Sequence, residues 1–410
     1  MPDSQKWDTA YEWKAVTLLG LGFGLVGLDR WIIAPLFPFM MKDLGLTYQD
    51  LGNLIGVLGL CWGVFAAVMG GVSDKIGRRK VLIPAILGFS VLSGLSGFAM
   101  GMTSLVMIRA IMGVMEGSYC PTSFAATHEA SKPARRGFNL GIQQCTFALF
   151  GLGFGPIIAT QLLTVVPSWR WVFFVVAVPG LILGGLMFRV LREAPAPQRH
   201  DAAPPHPWAA VFRSRNIALS MGALLCAMTG VFVLGAMVPN YLIDYLHLTP
   251  AQMGFVTSAI GFGGFFGQFG LPGVSDFLGR KPVAIGGFLC AALMLLVFIG
   301  IGANPATLFA ALFGVSFFCL GLIALLTGPI ATESAPAGLV SSAIGIVVGS
   351  GEIFGGGVAP SIAGFIAQHY GIQNVLYLAL VGVVLGVLVC LGLRETAPRK
   401  IAGLAAAAAA

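Results

Sequence analysis

Twelve long apolar stretches, separated by short charged or turn-rich breaks, are the feature that most constrains this 410-residue chain. A bilayer core about 30 Å thick needs about 20 apolar residues in a helix. Charged residues make up only 10% of the chain, against about 25% in soluble domains, which excludes a soluble fold. The sequence therefore predicts an all-α membrane protein whose twelve transmembrane helices span 14–41, 50–72, 80–102, 103–129, 136–164, 170–191, 216–246, 251–273, 282–302, 304–332, 338–368 and 372–393.

Lysine and arginine residues concentrate on one side of these spans. Positively charged loops stay in the cytoplasm, which sets the orientation of a membrane protein. With the N-terminus inside, all but four of the 23 basic residues are cytoplasmic; Lys42 and Arg170 lie outside, and Arg30 and Arg109 lie within helices. We therefore expect both termini to be cytoplasmic, in a bacterial inner membrane. The net charge of +7 then indicates contact with anionic lipid and not with nucleic acid.

The chain contains an internal repeat. D-K-I-G-R-R-K at 74–80 returns as D-F-L-G-R-K at 276–281, each time in the loop between the second and third helices of six. Duplicated units of this kind underlie alternating access in transporters. We predict two pseudo-symmetric six-helix bundles, 1–191 and 216–394, joined by a Pro-rich cytoplasmic linker, 192–215. The Ala-rich end, 395–410, is interpreted as a disordered cytoplasmic tail or an expression remnant.

The first repeated loop, G-G-V-S-D-K-I-G-R-R-K from Gly70, resembles the signature loop of the major facilitator superfamily. In that family the aspartate and arginine of the motif latch helices together in the outward-open state. The resemblance implies gating roles for Asp74 and Arg78, and for Asp276 and Arg280 in the second copy. An aspartate near a helix N-terminus is stabilised by the helix dipole, which makes such a latch physically reasonable. The alternative is a basic loop that only sets topology.

Five ionisable residues lie well inside predicted helices: Asp29, Arg30, Arg109, Glu116 and Glu352. Each costs at least about 2.5 kcal/mol at the bilayer centre, so such residues indicate function. Asp29 and Arg30 are consecutive and diverge by about 100° around their helix. Arg109 and Glu116 are seven residues apart and share one face. We expect these residues to surround a central site.

D-R in the first helix with R-x-x-x-x-x-x-E in the fourth resembles the anion:cation symporter branch of that superfamily. This branch contains bacterial sugar-acid:proton symporters such as D-galactonate transporters, sialin and the vesicular glutamate transporters. The resemblance implies that Arg30 binds the substrate anion, that Asp29 and Glu116 carry protons, and that Arg109 pairs with Glu116. It also implies substrate contact by Gln143.

Charge counting supports proton coupling independently of the resemblance. Three acids and two arginines give the fully ionised site a net charge of −1, which repels an anion. Arginine stays protonated in proteins, so protons must enter on the acids. Protonation of two acids brings the site to +1, which matches a monocarboxylate. We therefore predict symport of protons with a small carboxylate such as a sugar acid, a short monocarboxylate or an aromatic acid.

The remaining site candidates each have an alternative interpretation. Glu352 lies in the Gly- and Pro-rich S-G-E-I-F-G-G-G-V-A-P, typical of broken helices at transporter sites, but it also suits a bond to a neighbouring helix. Trp62, Tyr119 and Asn240 are candidates for substrate contact, for which packing or interfacial anchoring is equally consistent.

Other classes of protein fit the sequence less well. It has no nucleophile triad, phosphate loop or metal-ligand cluster, so we expect neither an enzyme nor a cofactor. The expected partners are the organic anion, protons and membrane lipid, with the chain acting as a monomer. A proton-driven exporter of drugs or organic cations stays open as an alternative within the same fold. A non-transporting receptor would not need the intramembrane charges.

Overall fold

The computed structural model describes residues 7–193, 209–336 and 340–401. These residues form twelve long helices and no strands, which confirms the predicted fold class. The predicted linker and tail lie partly outside the described residues, at 194–208 and 402–410. The helices are α1 Thr9–Leu44, α2 Tyr48–Ile76, α3 Arg78–Ser96, α4 Met102–Ala130, α5 Arg136–Val165, α6 Trp169–Val190, α7 Arg215–Tyr245, α8 Pro250–Leu278, α9 Arg280–Gly300, α10 Pro305–Ser334, α11 340–370 and α12 Val375–Leu391.

Ten of the twelve helices are long and apolar enough to cross a bilayer, as judged on the described residues. The other two, α4 and α8, are 29 residues long, which is ample for a span. Their mean hydropathy is lower because α4 carries Arg109 and Glu116 and because α8 is rich in glycine, which adds little hydropathy. Both lie against other helices of the bundle, so their polar residues need not face lipid.

The same local devices begin and end equivalent helices in the two halves. Thr47 forms a capping box at the start of α2, and Thr249 forms one at the start of α8. The chain then turns after α2 and α8 at Gly77 and Gly279, with φ of 102° and 106°. L side chains rarely adopt such angles, so both turns require glycine. Helix ends are therefore encoded locally, and each device recurs 202 residues later.

The two halves pack by the same scheme. In the first half α1 packs on α5, α2 on α4, and α3 on α4 and α6; in the second half α7 packs on α11, α8 on α10, and α9 on α10 and α12. Between the halves, α2 packs on α11 and α5 on α8. The four helices α2, α5, α8 and α11 therefore form the contact between the halves, and they lie around the middle of α1 and α7.

Glycines allow the halves to approach closely. A Cβ at Gly56 would lie 2.7 Å from the carbonyl oxygen of Gly357, and one at Gly59 would lie 2.5 Å from that of Gly356. A Cβ at Gly261 of α8 would collide with the backbone of α5. Small residues permit this backbone contact between membrane helices.

We define the terminal face as the end of the bundle where α1 begins and α12 ends, and the distal face as the opposite end. At the distal face Tyr48 Oη donates to Asp244 Oδ2 at 2.9 Å, and Gln49 Nε2 donates to the carbonyl of Ser361 at 3.2 Å. Both bonds join the first half to the second. The molecule is therefore closed at its distal face.

The predicted tail boundary at 395 needs correction, because residues 395–397 are packed against the bundle. Glu395 accepts hydrogen bonds from the backbone N–H groups of Arg280 at 2.7 Å and Lys281 at 3.3 Å. Its carboxylate thus caps the N-terminus of α9, where an acid is favoured by the helix dipole. Ala397 is buried as well.

Candidate functional site

The site is built around a break in the middle of α1. Pro35 and Pro38 lack the N–H groups that would bond the carbonyls four residues earlier, and the regular helix is interrupted at Ile32. Arg109 Nη1 donates to the carbonyls of Asp29 and Arg30, both at 3.1 Å, and so supports the chain just before the break.

Arg30 lies at the centre of the molecule and is only 1% exposed. Its Nη2 bonds Glu352 Oε2 at 3.0 Å, which links α1 of the first half to α11 of the second. Its Nε and Nη1 have no hydrogen-bond partner within the described part of the chain. Buried donors are normally paired, so these two N–H groups indicate a place for a further acceptor.

Aromatic rings surround the Arg30 guanidinium. Its Cζ lies 5.2 Å from the ring centre of Phe232, 5.7 Å from that of Trp62 and 5.8 Å from that of Trp31. These rings come from α7, α2 and α1, so both halves contribute to the lining. A cation over aromatic faces is stabilised by the ring quadrupoles. The charge is thus held in a mostly apolar enclosure.

Glu352 begins a wide π-helical segment of α11, Glu352–Val358. Segments of this kind occur at functional sites because they displace a side chain from the regular helical register. A Cβ at Gly356 would lie 2.6 Å from Glu352 Oε2 and 3.0 Å from Arg30 Nη2. Glycine at this position therefore leaves room for the ion pair.

Asp29 points away from Arg30, as their spacing predicts. It is buried, and its Oδ1 accepts a hydrogen bond from Ser93 Oγ of α3 at 2.7 Å. Glu116 is fully buried in α4, where its electrostatic neighbours are Asp29, Arg30 and Arg109. All five intramembrane charges therefore belong to one cluster.

Arg109 and Glu116 are electrostatic neighbours, but the predicted pairing is not made as a hydrogen bond in this structure. The Arg109 guanidinium donates to the α1 carbonyls instead, and neither carboxylate oxygen of Glu116 has a hydrogen-bond partner among the described residues. A seven-residue spacing places the two on one face but about 10 Å apart along the axis, so Arg109 reaches the nearer α1 backbone.

Of the further candidates for substrate contact, namely Trp62, Gln143, Tyr119 and Asn240, only Trp62 lies against Arg30. Gln143 donates to Ser123 Oγ at 2.9 Å, at the level of Gly20 and so closer to the terminal face. Tyr119 is a core residue between α1 and α3, with its hydroxyl 3.2 Å from the Leu19 carbonyl. The structure thus brings Trp62 to the cation and places Tyr119 in helix packing.

Asn240 lies at the distal face, away from Arg30. Its Nδ2 is 3.3 Å from Asp244 Oδ2 and 3.3 Å from Met41 Sδ. Phe232 and Ser93 contact the charge cluster, and the sequence analysis did not identify them. Phe232 is one of 30 phenylalanines and has no distinguishing signal. Ser93 belongs to a row of serines three residues apart, Ser90, Ser93 and Ser96, which was an available signal for a polar face.

Equivalent arginines begin α3 and α9 at the terminal face. Arg78 Nη2 bonds Glu129 Oε1 at 3.0 Å, and Arg280 Nη2 bonds Glu333 Oε1 at 2.8 Å. Arg280 also bonds Asp276 at 2.7 Å. In each half the arginine therefore ties the start of one helix to the end of the next.

The side chain of Asp74 lies outside the described side chains, so its latch with Arg78 stays a prediction. The same holds for the gating role of Asp276 and Arg280, since their bonds are made within one half. Among the described residues no group of three His, Cys, Asp or Glu side chains is placed to hold a metal ion.

Twelve helices in two related sets of six, packed around a buried charge cluster, define a multi-pass membrane protein with an ionisable interior in the described part of the chain. The chain belongs to the Major Facilitator Superfamily, whose family model matches residues 19–229 and 220–409.

Curated relatives extend over most of the chain. It is 27% identical over 374 residues to a probable 4-methylmuconolactone transporter of Cupriavidus pinatubonensis, covering 87% of this chain and 84% of the relative. It is 26% identical over 393 residues to a D-galactonate transporter of Escherichia coli O6:H1, covering 87% and 90%. The sialic acid transporter NanX of Escherichia coli K12 is 29% identical, with 90% of each chain covered. The resemblance to the anion:cation symporter branch is confirmed.

A solved structure supports the fold. A bacterial homologue of the human lysosomal transporter Spinster, in an inward-facing and unoccupied conformation, matches with a TM-score of 0.76 at 14% identity. The match covers 95% of this chain and 97% of that one.

Proposed function

We propose that this transporter carries a small organic anion together with protons, by alternating access. The observation that carries the proposal is Arg30, a permanent cation buried where the two halves meet, with two N–H donors left unpaired among the described residues. A carboxylate accepts strong hydrogen bonds from a guanidinium and balances its charge. The similar proteins described as transporters of D-galactonate and sialic acid, and as a probable 4-methylmuconolactone transporter, agree with this chemistry.

The charge of the cluster supports coupling to protons. Asp29, Glu116 and Glu352 oppose Arg30 and Arg109, so the ionised cluster carries −1 and disfavours an anion. Both arginines keep their charge, and protons therefore neutralise acids before or as the anion binds. Substrate and protons then favour each other's binding by the same factor.

The lining favours a substrate with an apolar or planar body. Trp31, Trp62 and Phe232 enclose the guanidinium, and rings or unsaturated chains stack well on such surfaces. A sugar acid would bring several hydroxyl groups that need partners, and unpaired buried hydroxyls are costly. We therefore propose a monocarboxylate with few hydroxyl groups as the preferred substrate.

Uptake into proteoliposomes tests the proposal. Benzoate, sorbate, a muconolactone and D-galactonate would each be offered with and without an inward proton gradient. We expect gradient-dependent accumulation, with the three less hydroxylated acids ahead of D-galactonate. Arg30→Gln should abolish it, whereas Arg213→Gln, at an exposed arginine before α7, should not.

The same vesicles separate the alternatives. Expulsion of organic cations such as ethidium on an imposed proton gradient, with no carboxylate uptake, would identify the drug-exporter alternative instead. Carboxylate uptake that does not depend on the proton gradient would contradict coupling to protons but not transport of the anion.

We further propose that the protein lies as a monomer in a bacterial inner membrane with both termini cytoplasmic. The distribution of lysine and arginine supports this orientation. Labelling of single cysteines placed at Arg213 and Arg170 in intact cells tests it. We expect a membrane-impermeant maleimide to label only position 170, and the reverse result would invert the topology.

A further inference from the structure

The ion pair between Arg30 and Glu352 joins the two halves at the centre of the molecule. The side chains are 1% and 11% exposed, and the residues are 322 positions apart in the chain. The other bonds described above between the halves lie at the distal face. Any rotation of one half relative to the other would therefore change the distance between the two charges.

Glu352 presents to Arg30 the same chemical group that an organic anion would present. Its carboxylate takes one Nη of the guanidinium, while Nε and Nη1 have no partner among the described residues. A substrate carboxylate that accepts two hydrogen bonds from Arg30 would use two adjacent N–H donors of the guanidinium. Two carboxylates at one guanidinium repel each other, so the internal acid and the substrate compete for Arg30.

Few other titratable groups face Glu352. From α1 the neighbour is Arg30, and from α4 it is the Cys120 thiol, which is electrostatically linked to both members of the pair. α2 contributes the backbone of Gly63, and α7 contributes Phe232 beside Gly356. A proton that neutralises this part of the site therefore enters on the Glu352 carboxylate.

We propose that Glu352 is a proton-coupling residue that occupies the anion position on Arg30 until it is protonated. One proton added to the carboxylate converts it to a neutral acid and weakens its bond to Arg30. No other bond is made or broken, and Arg30 keeps its charge. Protonation of Glu352 therefore exposes the charge of Arg30, which a substrate carboxylate can balance.

This inference rests on the proposed function and gives Glu352 a task distinct from those of Asp29 and Glu116. Asp29 is bonded to Ser93, and the Glu116 carboxylate has no hydrogen-bond partner among the described residues. Neither carboxylate is hydrogen-bonded to the Arg30 side chain in the described structure. Their protonation changes the charge of the cluster, whereas protonation of Glu352 also frees a donor of Arg30 and weakens the ion pair that links α1 to α11.

Hydrogen exchange of the purified, reconstituted protein tests the inference without any substrate. Exchange would be followed in the contact between α2 and α11, residues 50–63 and 350–364, at pH 8 and pH 4 after correction for intrinsic rates. In the wild type we expect about tenfold faster corrected exchange at pH 4, roughly the difference between a charged and a neutral hydrogen bond. Glu352→Gln should show the fast exchange already at pH 8 and little further change.

Glu116→Gln is the matched comparison, because it removes another buried acid from the same cluster. We expect it to keep the pH dependence of the wild type. If Glu352→Gln keeps that dependence, or if Glu116→Gln removes it, the inference is overturned. It is equally overturned if exchange in the wild type does not change with pH.

Benzoate and D-galactonate uptake by the same preparations separates this inference from the proposed function. Absence of carboxylate uptake in the wild type contradicts the proposed function, whatever the exchange data show. If uptake is present, we expect Glu352→Gln to lose part of the stimulation by an inward proton gradient while still exchanging the anion across the membrane.

Discussion

The buried pair of Arg30 and Glu352 makes a quantitative prediction about stability. At 3.0 Å and an effective dielectric constant of about 20, the two charges attract by about 5 kcal/mol, much of which offsets their desolvation. Removal of one partner leaves the other charge buried and unpaired. We therefore expect Arg30→Gln and Glu352→Gln each to lower the free energy of unfolding by about 3–5 kcal/mol.

The double variant gives the decisive comparison. With both charges absent no unpaired ion is left, so its loss should be smaller than the sum of the single losses by about 3 kcal/mol. The free energies would be measured by equilibrium unfolding in mixed detergent micelles at pH 8. Additivity within about 0.5 kcal/mol would refute the claim that the pair is formed and buried.

Three further predictions concern single contacts. Gly356→Ala should impair uptake at least about tenfold, because the added methyl group meets both members of the ion pair, whereas Gly345→Ala, with open space at its Cβ, should have little effect. Tyr48→Phe removes the distal bond to Asp244, worth about 1 kcal/mol, and should raise cysteine labelling at the distal face about fivefold; unchanged labelling would contradict a role in closure. Burial acts to raise the pKa of Glu395, but four backbone N–H bonds outweigh it and lower that pKa. The stability that this group contributes is therefore complete above the pKa of the unfolded carboxyl and is lost as the pH falls through the lower folded value. Glu395→Gln should flatten the acid side of the Tm profile, and an unaltered profile would count against the cap.

The sequence predicted the helices well because the signal for a membrane helix is local. Within lipid each backbone polar group must bond inside its own helix, so the length of an apolar run is enough to identify a span. The break in α1 also has a local cause, since Pro35 and Pro38 remove specific donors, but the sequence analysis predicted an unbroken span there. The repeat of the D-x-x-G-R motif at Asp74 and Asp276 likewise predicted the two related halves.

The partners of the buried groups were harder to predict. Spacing correctly separated Asp29 from Arg30 and placed Arg109 and Glu116 on one face. The resemblance implied that Arg109 and Glu116 pair, but in the structure Arg109 donates hydrogen bonds to the backbone of α1, because helical periodicity reports a shared face and not the nearest acceptor. Tyr119 and Asn240 have the polar character of site residues, yet helix packing places one in a core and the other at the distal face. Their surroundings depend on helices that are distant in sequence.

The sequence by itself determined that this chain spans a membrane twelve times, that its halves are related, and that five charges lie within the bilayer. Only the tertiary structure decided which of those charges meet. Arg30 and Glu352 are 322 positions apart, and their contact depends on the close packing of α2 on α11 through glycine and on a wide turn of α11. Such an approach is set by the packing of the two halves, and no local pattern of residues records it.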